Sequence, residues 1–230
     1  MFLLTFAAAA AMSAEAAGAA AAGSATPVPD WYGAEREALV ELYDTTDGPR
    51  WTTNESRGEN SWRVGCHCGN GTAPGGSAPS YPWAKVGCQE TPSPPVDASG
   101  CKIIRVTGIY LGPFGLAQTS RGLRGVLPPW NGTRGALSNL TWLDLSGNDL
   151  MGSLLPAFVT ALSSLEVLSL ENNQFSGALP AALSVASSLS YVTFYNNEFT
   201  GSLPPEWAAF SMRLGYLKAS NCSLSGTLPP

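Results

Sequence analysis

Residues 165–180 read LEVLSLENNQFSGALP, residues 189–204 read LSYVTFYNNEFTGSLP and residues 214–229 read LGYLKASNCSLSGTLP, with LTWLDLSGNDLMGSLL at 140–155 beginning the series. The anchors Leu140, Leu165, Leu189 and Leu214 fall 25, 24 and 25 residues apart. With a period this regular, each unit is one small piece of supersecondary structure that buries its apolar side only by stacking on its neighbours. The second half of the chain is therefore expected to be a solenoid, its core spread along an axis.

Within a unit, the second and third leucines, such as Leu168 and Leu170, are two residues apart and leave a short strand on the same side. Strands of successive units then pair into a parallel sheet. The turn that follows would bury backbone polar groups, and these need partners. Asn148, Asn173 and Asn197 stand there, and a carboxamide both donates and accepts, so they are read as a ladder between units. Cys222 takes the same place in the last unit, as a small buried donor in preference to a reactive thiol. In G-x-L-P the glycine permits a tight or left-handed backbone and the proline sets φ where no donor is wanted. The pattern L-x-x-L-x-L-x-x-N/C-x-L, at a period inside the window of roughly 20 to 29 residues, is that of leucine-rich repeats. The expected fold is α/β: a curved leucine-rich-repeat solenoid with one short parallel strand per repeat and a disulfide-stapled N-terminal cap.

Residues alternating with the core leucines point away from the core, onto the concave face that stacked arrays use for binding. In register they form three columns: Gly108, Trp142, Val167, Tyr191, Tyr216; then Tyr110, Asp144, Ser169, Thr193, Lys218; then Gly112, Ser146, Glu171, Tyr195, Ser220. Tyr and Trp are enriched at interface cores, so the candidate ligand-binding residues are Trp142, Asp144, Val167, Glu171, Tyr191, Tyr195, Tyr216 and Lys218. The competing view of the aromatics is that they suit exposed strands through cross-strand packing alone. Asp144, Glu171 and Lys218 are expected as solvated rim charges and not as a catalytic pair.

The first repeat is irregular. Val106, Ile109 and Leu111 read as a strand, a loop from Gly112 to Arg121 interrupts the unit, and Leu123, Gly125, Leu127 and Pro128 rejoin the pattern. Trp130 to Arg134 is a second insertion; such loops leave one face and often carry contacts.

The formal charge of -5 and the lack of a basic run argue against nucleic acid as a partner. Phe2 to Met12 is apolar and precedes Ala-rich sequence with A-x-A sites, which reads as an export signal and spacer over residues 1–26. Four of the five cysteines lie between Cys66 and Cys101, as suits an oxidising compartment. Candidate glycosylation sequons start at Asn54, Asn70, Asn131, Asn139 and Asn221.

Residues 27–102 form the cap. Ala38, Leu39, Leu42 and Tyr43 recur at helical spacing, predicting a helix over Ala34 to Tyr43 that Asp30 could cap and that packs on the end of the solenoid. Trp51, Trp62, Trp83, Cys66, Cys68, Cys88 and Cys101 sit in Gly/Pro-rich sequence, where aromatics and staples replace a continuous core. E-x-x-A-L-V-x-L-Y, then T-D-G-P-x-W and W-x-x-V-G-C running into the repeats, resembles the cap of plant-type leucine-rich-repeat extracellular domains. Such domains occur in plant receptor kinases, polygalacturonase inhibitors and kinetoplastid surface antigens. The resemblance implies a second short strand in each repeat. It also implies a cap motif C-x-W-x-G-V-x-C, of which this chain has Tyr81 in place of the first cysteine. Cys66 or Cys68 then stands in as partner of Cys88, and four cysteines allow three pairings.

No catalytic apparatus is visible. His67 is the only histidine, no G-x-S-x-G elbow or P-loop accompanies it, and Cys66-His67-Cys68 lacks the spacing of a zinc clip. No metal or cofactor is expected. Residues 103–230 are read as repeats that break off at Pro230 without a polar end cap, so membrane association would come only through an anchor beyond that point. The function expected is an exported or cell-surface recognition module for a protein, peptide or glycan. A glycosylated structural surface coat, or the ectodomain fragment of a receptor-like kinase, is the alternative.

Overall fold

The computed structural model describes residues 29–48, 86–89, 105–112, 122–130, 135–209 and 213–228. The export segment, Cys66, His67, Cys68, Cys101, the sequons at Asn54, Asn70 and Asn131, and the loop 113–121 lie outside the described residues.

Two sheets run along the repeats. The first takes one strand from the cap and one from each coil: β1 (Val86–Cys88), β2 (Val106–Tyr110), β4 (Trp142–Asp144), β6 (Val167–Ser169), β8 (Tyr191–Thr193) and β10 (Tyr216–Lys218). From β2 onward the pairing is parallel and joins equivalent residues, for example Leu143 with Leu168 and Leu168 with Val192. β1, which the sequence patterns did not single out, adds antiparallel to β2 and carries the cap onto the sheet edge. Cys88 at its end is disulfide-bonded.

The second sheet is the short strand implied by the family resemblance. β3 (Arg124–Val126), β5 (Asp149–Gly152), β7 (Gln174–Ala178), β9 (Glu198–Gly201) and β11 (Ser223–Leu224) pair in parallel. Here the register is staggered: Gly177 pairs with Phe199, although its repeat equivalent is Gly201, two residues further on. Equivalent residues meet on one side and miss by two on the other, so successive coils are not simple translates. The glycine of G-x-L-P has φ of +84 in Gly152, +80 in Gly177 and +80 in Gly201, a left-handed backbone that a side chain would strain.

The core lies between the sheets. Leu143, Leu145, Leu168, Leu170, Val192 and Phe194 enter it from the first, and Leu150, Phe175 and Phe199 from the second. Phe175 and Phe199 stack with centroids 6.1 Å apart, and Phe194 meets Phe199 edge-on at 5.6 Å. The ladder spans this core. Asn173 Nδ2 donates to Leu170 O in its own coil and to Leu145 O in the preceding one, while Oδ1 accepts from Leu150 N. Asn148 and Asn197 repeat the arrangement, with Leu123 N and Phe175 N as their donors. Cys222 holds the place in the last coil, its sulfur 3.3 Å from Phe194 O. Burial pushes the Cys222 thiol up, which favours the protonated donor form.

The helix α1 spans Asp30–Thr45, about a turn longer at its start than the spacing predicts. Asp30 is its first residue and not its cap. Pro29 precedes it in an extended conformation without any side-chain capping bond, and the Asp30 carboxylate in the first turn complements the helix dipole. The helix buries Ala38, Leu39, Leu42 and Tyr43 against the end of the solenoid. Four hydrogen bonds tie it there. Glu35, fully buried, accepts from Arg105 Nη1 at 3.1 Å and from Val106 N at 3.3 Å. Trp130 Nε1 donates to Ala38 O at 3.0 Å while its ring stacks on Phe158, and Arg124 N donates to Thr46 O. No helix among the described residues is long and apolar enough to cross a membrane.

Candidate functional site

The register of the first sheet aligns Gly108, Trp142, Val167, Tyr191 and Tyr216, and beside them Tyr110, Asp144, Ser169, Thr193 and Lys218. The third column continues the pairing just past the strands, through Gly147 N to Glu171 O, Asn172 N to Tyr195 O and Asn196 N to Ser220 O. The eight candidate ligand-binding residues thus lie in three adjacent columns, six in the first sheet and Glu171 and Tyr195 just past its strands.

Tyr191 and Tyr216 stack face to face, with centroids 4.6 Å apart and planes 8° from parallel. They remain 38% and 44% exposed, although their rings bury each other. At the other end Tyr110 and Trp142 are 6.0 Å apart and tilted by 43°. Tyr110 belongs to the second column but its ring reaches over Gly108 in the first, filling the space that a side chain there would take. Column one is thus two aromatic pairs with the aliphatic Val167 between them.

The charges differ from the sequence-based expectation. Asp144 is 1% exposed and is not a rim carboxylate. Ser169 and Thr193 are buried with it. Asp144 Oδ1 accepts from Ser146 N at 2.9 Å and Ser146 Oγ at 2.7 Å, and the group occupies the space left by Gly112. Burial raises the Asp144 pKa above the ordinary carboxylate value, against a smaller lowering from the Ser146 hydrogen bonds. Glu171 Oε2 accepts from Thr193 Oγ1, joining the second and third columns. Lys218 is half-buried, its ammonium 3.7 Å above the centre of the Tyr195 ring. Loss of solvent raises the Tyr191 phenol pKa, with further upward pressure from Tyr216, Glu171, Tyr195 and Asp144.

Trp142 Nε1 is buried without an acceptor among the described residues. Among the described residues no group of three His, Cys, Asp or Glu side chains is placed to hold a metal ion.

A second amide ladder, not anticipated from the repeat pattern, borders this face. Asn172, Asn196 and Asn221 have φ of 57, 55 and 52, with Gly147 at 64 in the equivalent place. Asn196 Nδ2 donates to Asn172 Oδ1 at 2.6 Å, and Asn221 Nδ2 to Asn196 Oδ1 at 2.8 Å. The signal was the residue just before each inner-ladder position: asparagine tolerates the left-handed region better than most residues. The sequon residues Asn139 and Asn221 are both exposed.

The leucine-rich repeat family model matches residues 139–161 and 164–185. No curated protein matches the sequence. Among solved structures, the chain resembles one from the BIR3–SERK2 complex of Arabidopsis thaliana at 22% identity and TM-score 0.60, covering 84% of each chain. A pollen receptor kinase 3 structure aligns at 26% identity and TM-score 0.55, over 84% of this chain and 74% of the other. The Arabidopsis thaliana receptor kinase HAESA, solved with the peptide hormone IDA and the co-receptor SERK1, aligns at 21% identity and TM-score 0.57. That match covers 85% of this chain but 26% of the other, so this chain spans about a quarter of its length. The fold is that of leucine-rich repeats, with parallel strands in two sheets, and is shared with plant receptor ectodomains.

Proposed function

We propose that this chain is an exported or cell-surface recognition module that binds a protein or peptide partner on the concave face of its repeats. The observation that carries this is the Tyr191–Tyr216 pair: two flat rings, stacked on each other, held on a rigid sheet and still more than a third exposed. Tyrosine offers large contact area at low entropic cost, and rings already ordered by stacking lose little more on binding. The Lys218–Tyr195 contact and Glu171 beside them supply the polar groups that fix orientation. HAESA, which shares the fold, is solved with a peptide hormone, a precedent for this architecture as a peptide receptor. We further propose that Cys66, Cys68, Cys88 and Cys101 form two bridges in the cap, as an oxidising compartment allows.

The test uses the secreted chain as bait for partners, followed by titration of the purified partner against wild type and Tyr191→Ala/Tyr216→Ala. Both rings are exposed, so the double variant should melt close to wild type while partner affinity falls by about a hundredfold, as for paired interface hot spots. An intact fold with unchanged affinity would place binding elsewhere and favour the surface-coat alternative.

A further inference from the structure

We infer that the gap over Val167 is a subsite for one arginine side chain of a peptide ligand, stacked on Tyr191 and paired with Glu171. This rests on the concave-face reading and specifies its ligand.

The shape comes from column one. Val167 pairs with Trp142 on one side and Tyr191 on the other, so its neighbours along the sheet are both large aromatic residues. Adjacent strands lie about 4.8 Å apart, which sets the two aromatic positions about 10 Å apart. Tyr216 covers one face of the Tyr191 ring in a nearly parallel stack. That stack runs along the direction in which strands pair, so the other face of Tyr191 looks across Val167. A flat group needs about 3.5 to 4 Å from a ring face, and the gap has room for one.

The charge comes from the same coil and its neighbour. Glu171 is the third-column residue of the Val167 coil; Thr193 occupies its Oε2, while Oε1 makes no bond among the described residues. Asp144 lies one coil away and is held by Ser146. No lysine or arginine among the described residues lies within ion-pair distance of either carboxylate. Lys218, the cation of this face, sits over Tyr195, which shows that the sheet accommodates a cation on an aromatic ring. The surface beside Val167 thus combines the Tyr191 ring of the next coil with the Glu171 acid of its own, and no lysine or arginine among the described residues is ion-paired to that acid. A guanidinium is planar, stacks on aromatic faces and meets a carboxylate through two donors at once. An ammonium has the charge without the plane.

A random hexapeptide library is panned on the full secreted chain, and selected peptides are resynthesised with arginine, lysine or citrulline at the enriched position. They are titrated against wild type, Glu171→Gln and Val167→Trp, with thermal melts as fold controls. Arginine should dominate one position, citrulline should weaken binding about tenfold or more, and Glu171→Gln should abolish that preference. Val167→Trp should fill the gap and remove the arginine contribution. Selected peptides that bind through Tyr191 and Tyr216 but prefer a neutral ring, or keep arginine preference in Glu171→Gln, overturn the subsite alone. If no peptide is enriched over the Tyr191→Ala/Tyr216→Ala control, both the peptide-binding reading and the subsite fall.

Discussion

Glu35 and Arg105, 70 residues apart in sequence, meet at 3.1 Å with the carboxylate wholly buried. The same carboxylate accepts from Val106 N, so one side chain of the cap helix supports the backbone of β2. Glu35→Ala would take the carboxylate away from the partly exposed Arg105 and leave the buried Val106 N–H without this acceptor. A buried donor left without its acceptor costs about 1 to 3 kcal/mol. The expected outcome is a markedly lower melting temperature and earlier proteolysis in the cap; a melt within a degree of wild type would refute the anchoring role.

The inner and outer asparagines separate two kinds of dependence. Asn173 is the acceptor for Leu150 N and a second donor to Leu145 O and Leu170 O, which Asn148 and Asn197 also serve, so Asn173→Ala strands Leu150 N at about 1 to 3 kcal/mol and gives up two further bonds at about 0.5 to 1.5 kcal/mol each. Asn172, one residue earlier, is exposed and matters for its φ of 57. Asn172→Gly should be nearly neutral, and Asn172→Val should cost about 1 to 2 kcal/mol through left-handed strain. Chemical denaturation of the three variants checks the order: Asn173→Ala worst, Asn172→Val intermediate, Asn172→Gly mildest.

Asp144 should leave a pH signature. Its folded pKa is raised above the ordinary carboxylate value of 3.8, so the unfolded chain gives up this proton first as pH rises. The stability linked to this group is fully present below about pH 4 and is lost as pH climbs through the folded value. Asp144→Asn keeps an acceptor for Ser146 and removes the titration. The variant should gain relative stability towards neutral pH, seen as a flatter profile of denaturation midpoint against pH. Parallel profiles for the two proteins would show that Asp144 does not titrate in this way.

How far these features were legible depends on what side chains reveal by position alone. The strand register and inner ladder follow from spacing, since Leu168 and Leu170 must share a side and Asn173 must serve the turn after them. The burial of Asp144 does not. Alternation tells which face a residue leaves, but not that Gly112 clears a space for it or that Ser146 bonds back to it. Tyr110 shows the same limit, because its ring joins column one only through the missing side chain at Gly108. The start of α1 was obscured by reading Asp30 as a cap, when Pro29 already holds the extended conformation before the first turn.

Gly108→Ala tests that last packing relation. A methyl group at residue 108 would collide with the Tyr110 ring and hydroxyl, and the strand backbone, paired with β1 and β4, has little freedom to yield. Tyr110 should swing away from Trp142, at a cost of about 1 to 3 kcal/mol typical of overpacking. The Tyr110→Ala background supplies the control, because there the new methyl meets no ring. Gly108→Ala should destabilise the wild type and be close to neutral in that background, a coupling read from a double-mutant cycle. Equal effects in both backgrounds would mean that the strand, and not the tyrosine, excludes a side chain at residue 108.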